Sequence, residues 1–145
     1  MTSEKKAPSI TTCRFIKLPK RQDIRGSLTA IEAGKDIPFD IKRVYYLYDI
    51  PHGASRGSHA HRNLHQLFIA ISGRFDLTLR DGLHEKHFHM DRPDQALYVA
   101  PMIWRDIDNF SPGAVCLVLA SDPYDENDYI RDYADYVSAV KMSKK

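Results

Sequence analysis

Short apolar or alternating segments recur along this chain between clusters of Gly, Pro, Asp and Asn: SLTAIEA, VYYLYDI, LHQLFIAI, RFDLTLR, HFHMD, ALYVAP and AVCLVLA. None exceeds eight residues, and most are rich in β-branched, aromatic or long aliphatic side chains, which suits strands and is too short for helices. This punctuation predicts an all-β sandwich or barrel. In RFDLTLRDGLHEKHFHM, Phe75, Leu77 and Leu79 alternate with polar residues, the period of a strand with one buried face. Asp81-Gly82 then offers the left-handed dihedrals of a tight hairpin turn. LFIAI and CLVLA are apolar at every position, so these strands need cover on both faces, from a second sheet or from another subunit.

Only the tail reads as helical. In DENDYIRDYADYVSAVKM, Tyr129, Tyr133, Tyr136, Val137 and Val140 fall near helical spacing, and the acidic start suits a helix N-terminus. This tail is expected to pack on the barrel rather than to bind. The first dozen residues and the closing Ser-Lys-Lys are expected to be loose. A length of 145 residues predicts one domain, 1–145, with its core at about 14–136 and no repeats.

Composition excludes several classes of function. With 43% hydrophobic and 28% charged residues the chain is globular rather than disordered. The 21 basic and 19 acidic residues are spread along it without the dense basic block that nucleic-acid binding shows, which leaves a small anionic ligand as the more economical partner. MTSEKKAPSI has no apolar stretch, and no run approaches the length of a membrane span. A cytoplasmic location is expected, with Cys13 and Cys116 as reduced thiols, the latter buried in AVCLVLA.

Chemistry concentrates in GASRGSHAHRNLHQLFIAISG, Gly53 to Gly73. On a strand, residues two apart share a face, so His59 and His61 converge while His65, next to Gln66, points away. The spacing of Gly53, His59, His61, Gln66 and Gly73 resembles the first motif of the cupin superfamily, in which a metal-ligating Glu stands where this chain has Gln66. The second cupin motif is matched by Pro101 and Asn109 in YVAPMIWRDIDNF, with Arg105 where a ligating His would fall. A neutral amide is a poor ligand and a guanidinium is none, so no metal is expected. Without a metal, paired imidazoles are the natural side chains for moving protons. Neighbouring cations, among them Arg56, Arg25 and Arg105, favour the neutral imidazole that can act as base and can clamp phosphates. These residues predict a proton-transfer enzyme acting on an anionic substrate.

The blocks DIRGSLTAIE, IKRVYYLYDIP, RGSHAH, RPDQALYVAPMIW and FSPGAVCLVLASDPYDENDYIRDY together resemble the nucleotide-sugar 3,4-ketoisomerases, from Arg14 to Tyr136. The resemblance implies a cupin-type jelly-roll β-barrel with a short C-terminal helical segment, forming a homodimer that exchanges N-terminal strands. It implies conversion of dTDP-4-keto-6-deoxy-D-glucose to its 3-keto isomer through an enediol, in deoxyamino-sugar synthesis, with no cofactor. By the family's pattern His59 matches the base that moves the carbon-bound proton. His61 matches the partner that shuttles a proton between the two oxygens, and Tyr45 a tyrosine that hydrogen-bonds a sugar oxygen. Arg56, Arg25, Arg105 and Gln66 fall to substrate binding. The family sets the configuration at C4 by the residues at the positions of Arg25 and Arg105; one form has Arg and His there and another Tyr and Arg, so two arginines fit neither, and Arg25 favours the galacto product.

Each residue has a plainer reading. Tyr45 and Tyr46 suit ordinary strand packing, Trp104 suits either thymine stacking or the core, and His84, His87 and His89 suit solvent. Two other functions stay open: a 3,5-epimerase on the same class of 4-keto sugar, and a non-catalytic nucleotide-sugar binding cupin.

Overall fold

In a computed structural model, which describes residues 7–143, twelve strands and one helix are laid out in chain order. After a 3-10 turn at Ile10–Thr12 come β1 (Arg14–Lys17), β2 (Arg21–Asp23), β3 (Gly26–Leu28), β4 (Arg43–Leu47), β5 (Arg56–His61) and β6 (Gln66–Ser72). They are followed by β7 (Phe75–Arg80), β8 (Glu85–Met90), β9 (Gln95–Val99), β10 (Trp104–Asp108), β11 (Val115–Ala120), a second 3-10 turn at Glu126–Asp128, β12 (Tyr129–Ile130) and α1 (Tyr133–Ser143). Two five-stranded sheets, ordered β1-β9-β6-β11-β4 and β12-β5-β10-β7-β8, form an open jelly roll in which every named pairing is antiparallel. The core lies between them, where Phe68 and Val118 of one sheet join one cluster with Leu77, Leu79 and Ile107 of the other.

The outer face of β6 is covered over part of its length within this chain, while Ile71 stays 46% exposed. Leu67 of β6 lies opposite Tyr98 of β9 and shares its face. The Phe39 ring sits 6.0 Å from His65 and 6.4 Å from Tyr98, and Ile31, Ile37 and Ile41 of the same connection pack on the core. The expected strand SLTAIEA therefore shrinks to β3. Beyond it the Asp36 side chain accepts from the Glu32 N–H at 2.8 Å and the Asp36 N–H donates back to the Glu32 carbonyl at 3.0 Å. That local loop turns the chain so that its isoleucines face the sheet.

Two further expectations are corrected. The N-terminal dozen is not loose throughout: the Ile10 N–H donates to Asp81 Oδ2 at 2.9 Å, and Ile10 is buried. Met1 to Lys6, and Lys144 and Lys145 of the closing tripeptide, lie outside the described residues. The tail is helical only from Tyr133, because Tyr129 and Ile130 pair with His61 and Ala60 of β5. That pairing turns Ile130 toward Tyr136, Val140 and Trp104, which seat α1 on the second sheet. The β7–β8 hairpin forms as expected, but its turn is longer than Asp81-Gly82: Arg80 pairs with Glu85, and the Asp81 carboxylate accepts from the Leu83 and His84 N–H groups.

Candidate active site

A bulge in β5 sets the geometry. Arg105 of β10 lies opposite His59 and Ile107 opposite Arg56, so three steps on β5 answer two on β10. Gly57, at φ +86°, absorbs the extra residue, and a Cβ there would meet Ile107 Cγ1 at 3.2 Å. The shift brings His59 onto the inner face beside Arg105, and strand alternation then carries His61 inward as well. Tyr129 of β12, opposite His61, faces the same way.

His59, Tyr45, Arg105, Tyr129 and Arg131 line a cleft of about 630 Å³ that opens from the barrel interior. The Nε2 atoms of His59 and His61 lie 3.1 Å apart, and His61 Nδ1 lies 2.9 Å from Asp128 Oδ2. The structure places His61 behind His59 rather than beside it on the cleft wall, with 0% of its surface exposed. The Tyr129 ring packs 4.9 Å from His59 and 4.3 Å from His61, and the Arg131 guanidinium lies 4.2 Å over Tyr129.

Arg105 is buried, 1% exposed, and among the described residues no carboxylate pairs with it. It donates to the Gln66 side-chain oxygen and, at 3.1 Å, to the Ile103 carbonyl, while its Nε has no partner among the described residues. Gln66 in turn donates to the Tyr45 hydroxyl at 2.9 Å, which leaves the Tyr45 O–H free to donate into the cleft. Gln66 itself is sealed beneath the cleft floor, 0% exposed. The expectation that it binds substrate is therefore corrected: it holds Arg105 and Tyr45 in place. The amide and guanidinium at the two changed cupin positions are bonded to each other, a donor set with no affinity for a cation.

Burial first, and then the Arg105 cation, lower the His59 pKa to about 3. The same causes in the same order, joined by the neighbouring His59 and Arg43, push His61 down to about 2. Both rings are neutral at physiological pH, each with one N–H and one lone pair. Burial raises the Tyr45 phenol above its ordinary value, opposed by Arg105, so Tyr45 is a hydroxyl donor there and not a phenolate.

The other predicted residues fall in several places. Arg56 lines the cleft. Arg25 does not reach it: it projects from the tip of the exposed β2–β3 ribbon, where its guanidinium pairs with Asp23 at 2.7 Å. Trp104 packs between Tyr133 and Tyr136 and donates to Asp106, which settles it as a packing residue. His65 faces away and meets the Tyr98 hydroxyl at 2.6 Å, while His84, His87 and His89 sit in solvent beside carboxylates. Sequence reasoning missed Arg43, Tyr124, Tyr129, Arg131 and Asp128. Helical periodicity hid the last three of these, and no local pattern marks Arg43 or Tyr124.

Comparison with known proteins gives the family. The family described as FdtA: WxcM-like, C-terminal matches residues 11–141. The TDP-4-oxo-6-deoxy-alpha-D-glucose-3,4-oxoisomerase of Aneurinibacillus thermoaerophilus is 42% identical over 135 residues, covering 91% of this chain and 97% of that protein. The sugar 3,4-ketoisomerase QdtA from Thermoanaerobacterium thermosaccharolyticum, solved in complex with TDP, superposes with a TM-score of 0.90 at 41% identity, covering 92% of this chain and 98% of that one. The WlaRB TDP-quinovose 3,4-ketoisomerase from Campylobacter jejuni has a TM-score of 0.85 at 46% identity, covering 89% and 99%. A 3'-monoepimerase from Streptomyces bikiniensis shares the fold alone, at 16% identity. With a match running from the first 3-10 turn to the last turns of α1, and with relatives this similar over almost their full length, the chain belongs to the FdtA family.

Proposed function

We propose that this chain is a sugar-nucleotide 3,4-ketoisomerase that converts dTDP-4-keto-6-deoxy-D-glucose to the 3-keto isomer without a metal. The observation that carries the reading is a neutral His59 on the wall of a cleft whose depth holds a fixed cation, Arg105. A ketone at C4 acidifies the hydrogen on C3. His59 removes that hydrogen as base, and Arg105 stabilises the negative charge that develops on the enediolate oxygens. The C4 oxygen must gain a proton and the C3 hydroxyl must lose one. The resemblance gave this transfer to His61, but His61 is fully buried and does not line the cleft, whereas Tyr45 does, so the Tyr45 hydroxyl is the better-placed group. It donates to the C4 oxygen and recovers a proton from the C3 hydroxyl. His59 then returns its proton to C4, and His61 supports His59 from behind. Arg56, at the cleft edge, is assigned to the diphosphate.

The working unit proposed is a homodimer with exchanged N-terminal ribbons. All six residues of β2 and β3 are exposed, with Ile24 between them at 104%, and a two-stranded ribbon alone is marginal in water. On the edge strand β4, Val44 and Tyr46 expose apolar surface, Tyr46 at 59%, which is the kind of face a second copy covers. Exchange carries Arg25 to the other protomer's cleft, where the sequence reading needs it. Two buried free thiols, Cys13 and Cys116, fit a reducing cytoplasm; among the described residues no helix is long and apolar enough to cross a membrane.

The test is a proton NMR time course with dTDP-4-keto-6-deoxyglucose in deuterated buffer containing a chelator. The expected result is a 3-keto sugar with no exchange at C5, and the H4–H5 coupling separates the galacto product that Arg25 favours from gluco. Exchange at both C3 and C5 would replace the reading with an epimerase, and binding without exchange would leave a carrier. His59→Asn is expected to abolish turnover while nucleotide-sugar affinity stays within about tenfold, or about 1.4 kcal/mol.

A further inference from the structure

We infer that Asp128 is a positioning residue that fixes the tautomers of both histidines and thereby makes His59 Nδ1 the base nitrogen. The inference rests on the ketoisomerase reading for its chemistry but not for its geometry.

Asp128 is pinned from three sides. Its N–H donates to the Asp125 carbonyl at 3.0 Å, its carbonyl accepts from the Arg62 N–H at 2.9 Å, and its Oδ1 accepts from the Asn63 N–H at 2.7 Å. Only Oδ2 remains for His61, at 2.9 Å. A carboxylate only accepts, so the neutral His61 must carry its proton on Nδ1 and present a lone pair at Nε2. That lone pair faces His59 Nε2 at 3.1 Å, so His59 must in turn carry its proton on Nε2. By elimination the remaining lone pair of His59 is on Nδ1, which has no hydrogen-bond partner among the described residues, on a ring that lines the cleft.

The chain of three groups also disposes of the proton. As an N–H bond forms at His59 Nδ1 and the C3–H bond breaks, the Nε2–H of His59 can pass to His61 Nε2, giving an imidazolium held against the Asp128 carboxylate. Reversal frees the Nδ1 proton for C4, so bonds and charge balance without any further reactant. Burial and the Arg105 field, which keep His59 neutral at rest, are opposed after proton uptake by a carboxylate two groups away.

Asp128→Asn gives a sharp test, because the Asn63 N–H demands an acceptor. The variant amide must turn its oxygen to Asn63 and its NH2 to His61 Nδ1. His61 then becomes the Nε2–H tautomer and donates to His59 Nε2, so His59 carries its proton on Nδ1 and has no lone pair for the substrate. Turnover is expected to fall at least about 100-fold, by analogy with the wrong-tautomer effect in hydrolase triads, with KM changed less than about threefold. Long-range proton–nitrogen correlation spectra of the ligand-free protein should show His61 with a protonated Nδ1 in the wild type and a protonated Nε2 in the variant. A wild-type His61 with its proton on Nε2 would overturn the inference, whether or not the variant folds. So would a variant whose tautomer switches while kcat stays within threefold. Because the spectra need no substrate, a failure of the ketoisomerase assay leaves this geometry separately tested.

Discussion

Two imidazoles held neutral inside the barrel should make this protein lose stability in mild acid, by an amount that follows from the structure. Both histidines have folded pKa values depressed far below the ordinary 6.5, to about 3 and about 2. The charges around them are the cations Arg105, Arg131 and Arg43 and the carboxylates Glu126 and Asp128. A depressed imidazole means that the unfolded chain binds more protons, so the stabilisation is complete above pH 6.5 and is lost as pH falls toward the folded values. Between about pH 6 and about pH 5 the unfolded histidine is already mostly protonated while the folded one stays bare, so the stability falls by nearly the full slope for one proton. The loss over that interval is about 1.2 kcal/mol for each histidine, or about 2.4 kcal/mol for the pair. With a urea slope of roughly 2 kcal/mol per molar, the midpoint should drop by about 1.2 M. Urea titrations at both pH values and one protein concentration, for the wild type, His59→Asn and His61→Asn, provide the measurement. Each variant should lose about half of the pH-dependent drop, since carboxylate titrations elsewhere cancel in the difference. If His61→Asn kept the whole drop, the Asp128 carboxylate would be holding His61 protonated in the folded state, and the argument from burial would be refuted.

Other outcomes are as specific. Gly57→Ala forces a side chain into φ +86° and against Ile107; it should cost about 1–3 kcal/mol in thermal or urea unfolding and lower kcat by moving His59, whereas Gly113→Ala, also at a left-handed φ of +73° but with open space around its Cβ, should cost stability through backbone strain alone and leave kcat unchanged. For the exchanged ribbon, chains carrying His59→Asn and chains carrying Arg25→Ala should each be nearly inactive. Unfolded and refolded together in equal amounts, they should recover about a quarter of wild-type activity, because half of the dimers then hold one intact site of two; no recovery would place Arg25 and His59 in the same chain's cleft.

The jelly roll was legible because β7 alternates openly in RFDLTLR, while β6 and β11 show as short, continuous apolar runs between turn residues, as LFIAI and CLVLA do. The connection after β3 was not, since Ile31 reads like a strand residue until the Glu32–Asp36 loop is known to turn it. His59 and His61 were legible from one strand step. Their relation was not: spacing places both on one face, whereas depth, which hides His61 and exposes His59 to the cleft, depends on the β5 bulge and on Tyr129 arriving from the far end of the chain. Tyr129 also satisfied a helical spacing, and the pairing of β12 with β5 overrode it. Arg25 was legible as a functional candidate yet stands outside the cleft of its own chain, because a single sequence does not say which copy a ribbon serves.

Arg105 gives the site a lasting asymmetry. Among the described residues its partners are an amide oxygen and a backbone carbonyl, both neutral, and its Nε has none. Most proteins that bury a guanidinium match it with a carboxylate and so return the interior to neutrality. On the proposed mechanism the missing half of the ion pair comes from outside, for the instant in which the sugar carries an oxyanion. On that mechanism the fold stays electrically incomplete until its substrate reacts. Replacing Gln66 by Glu would complete it permanently, yielding a calmer barrel and a poorer catalyst.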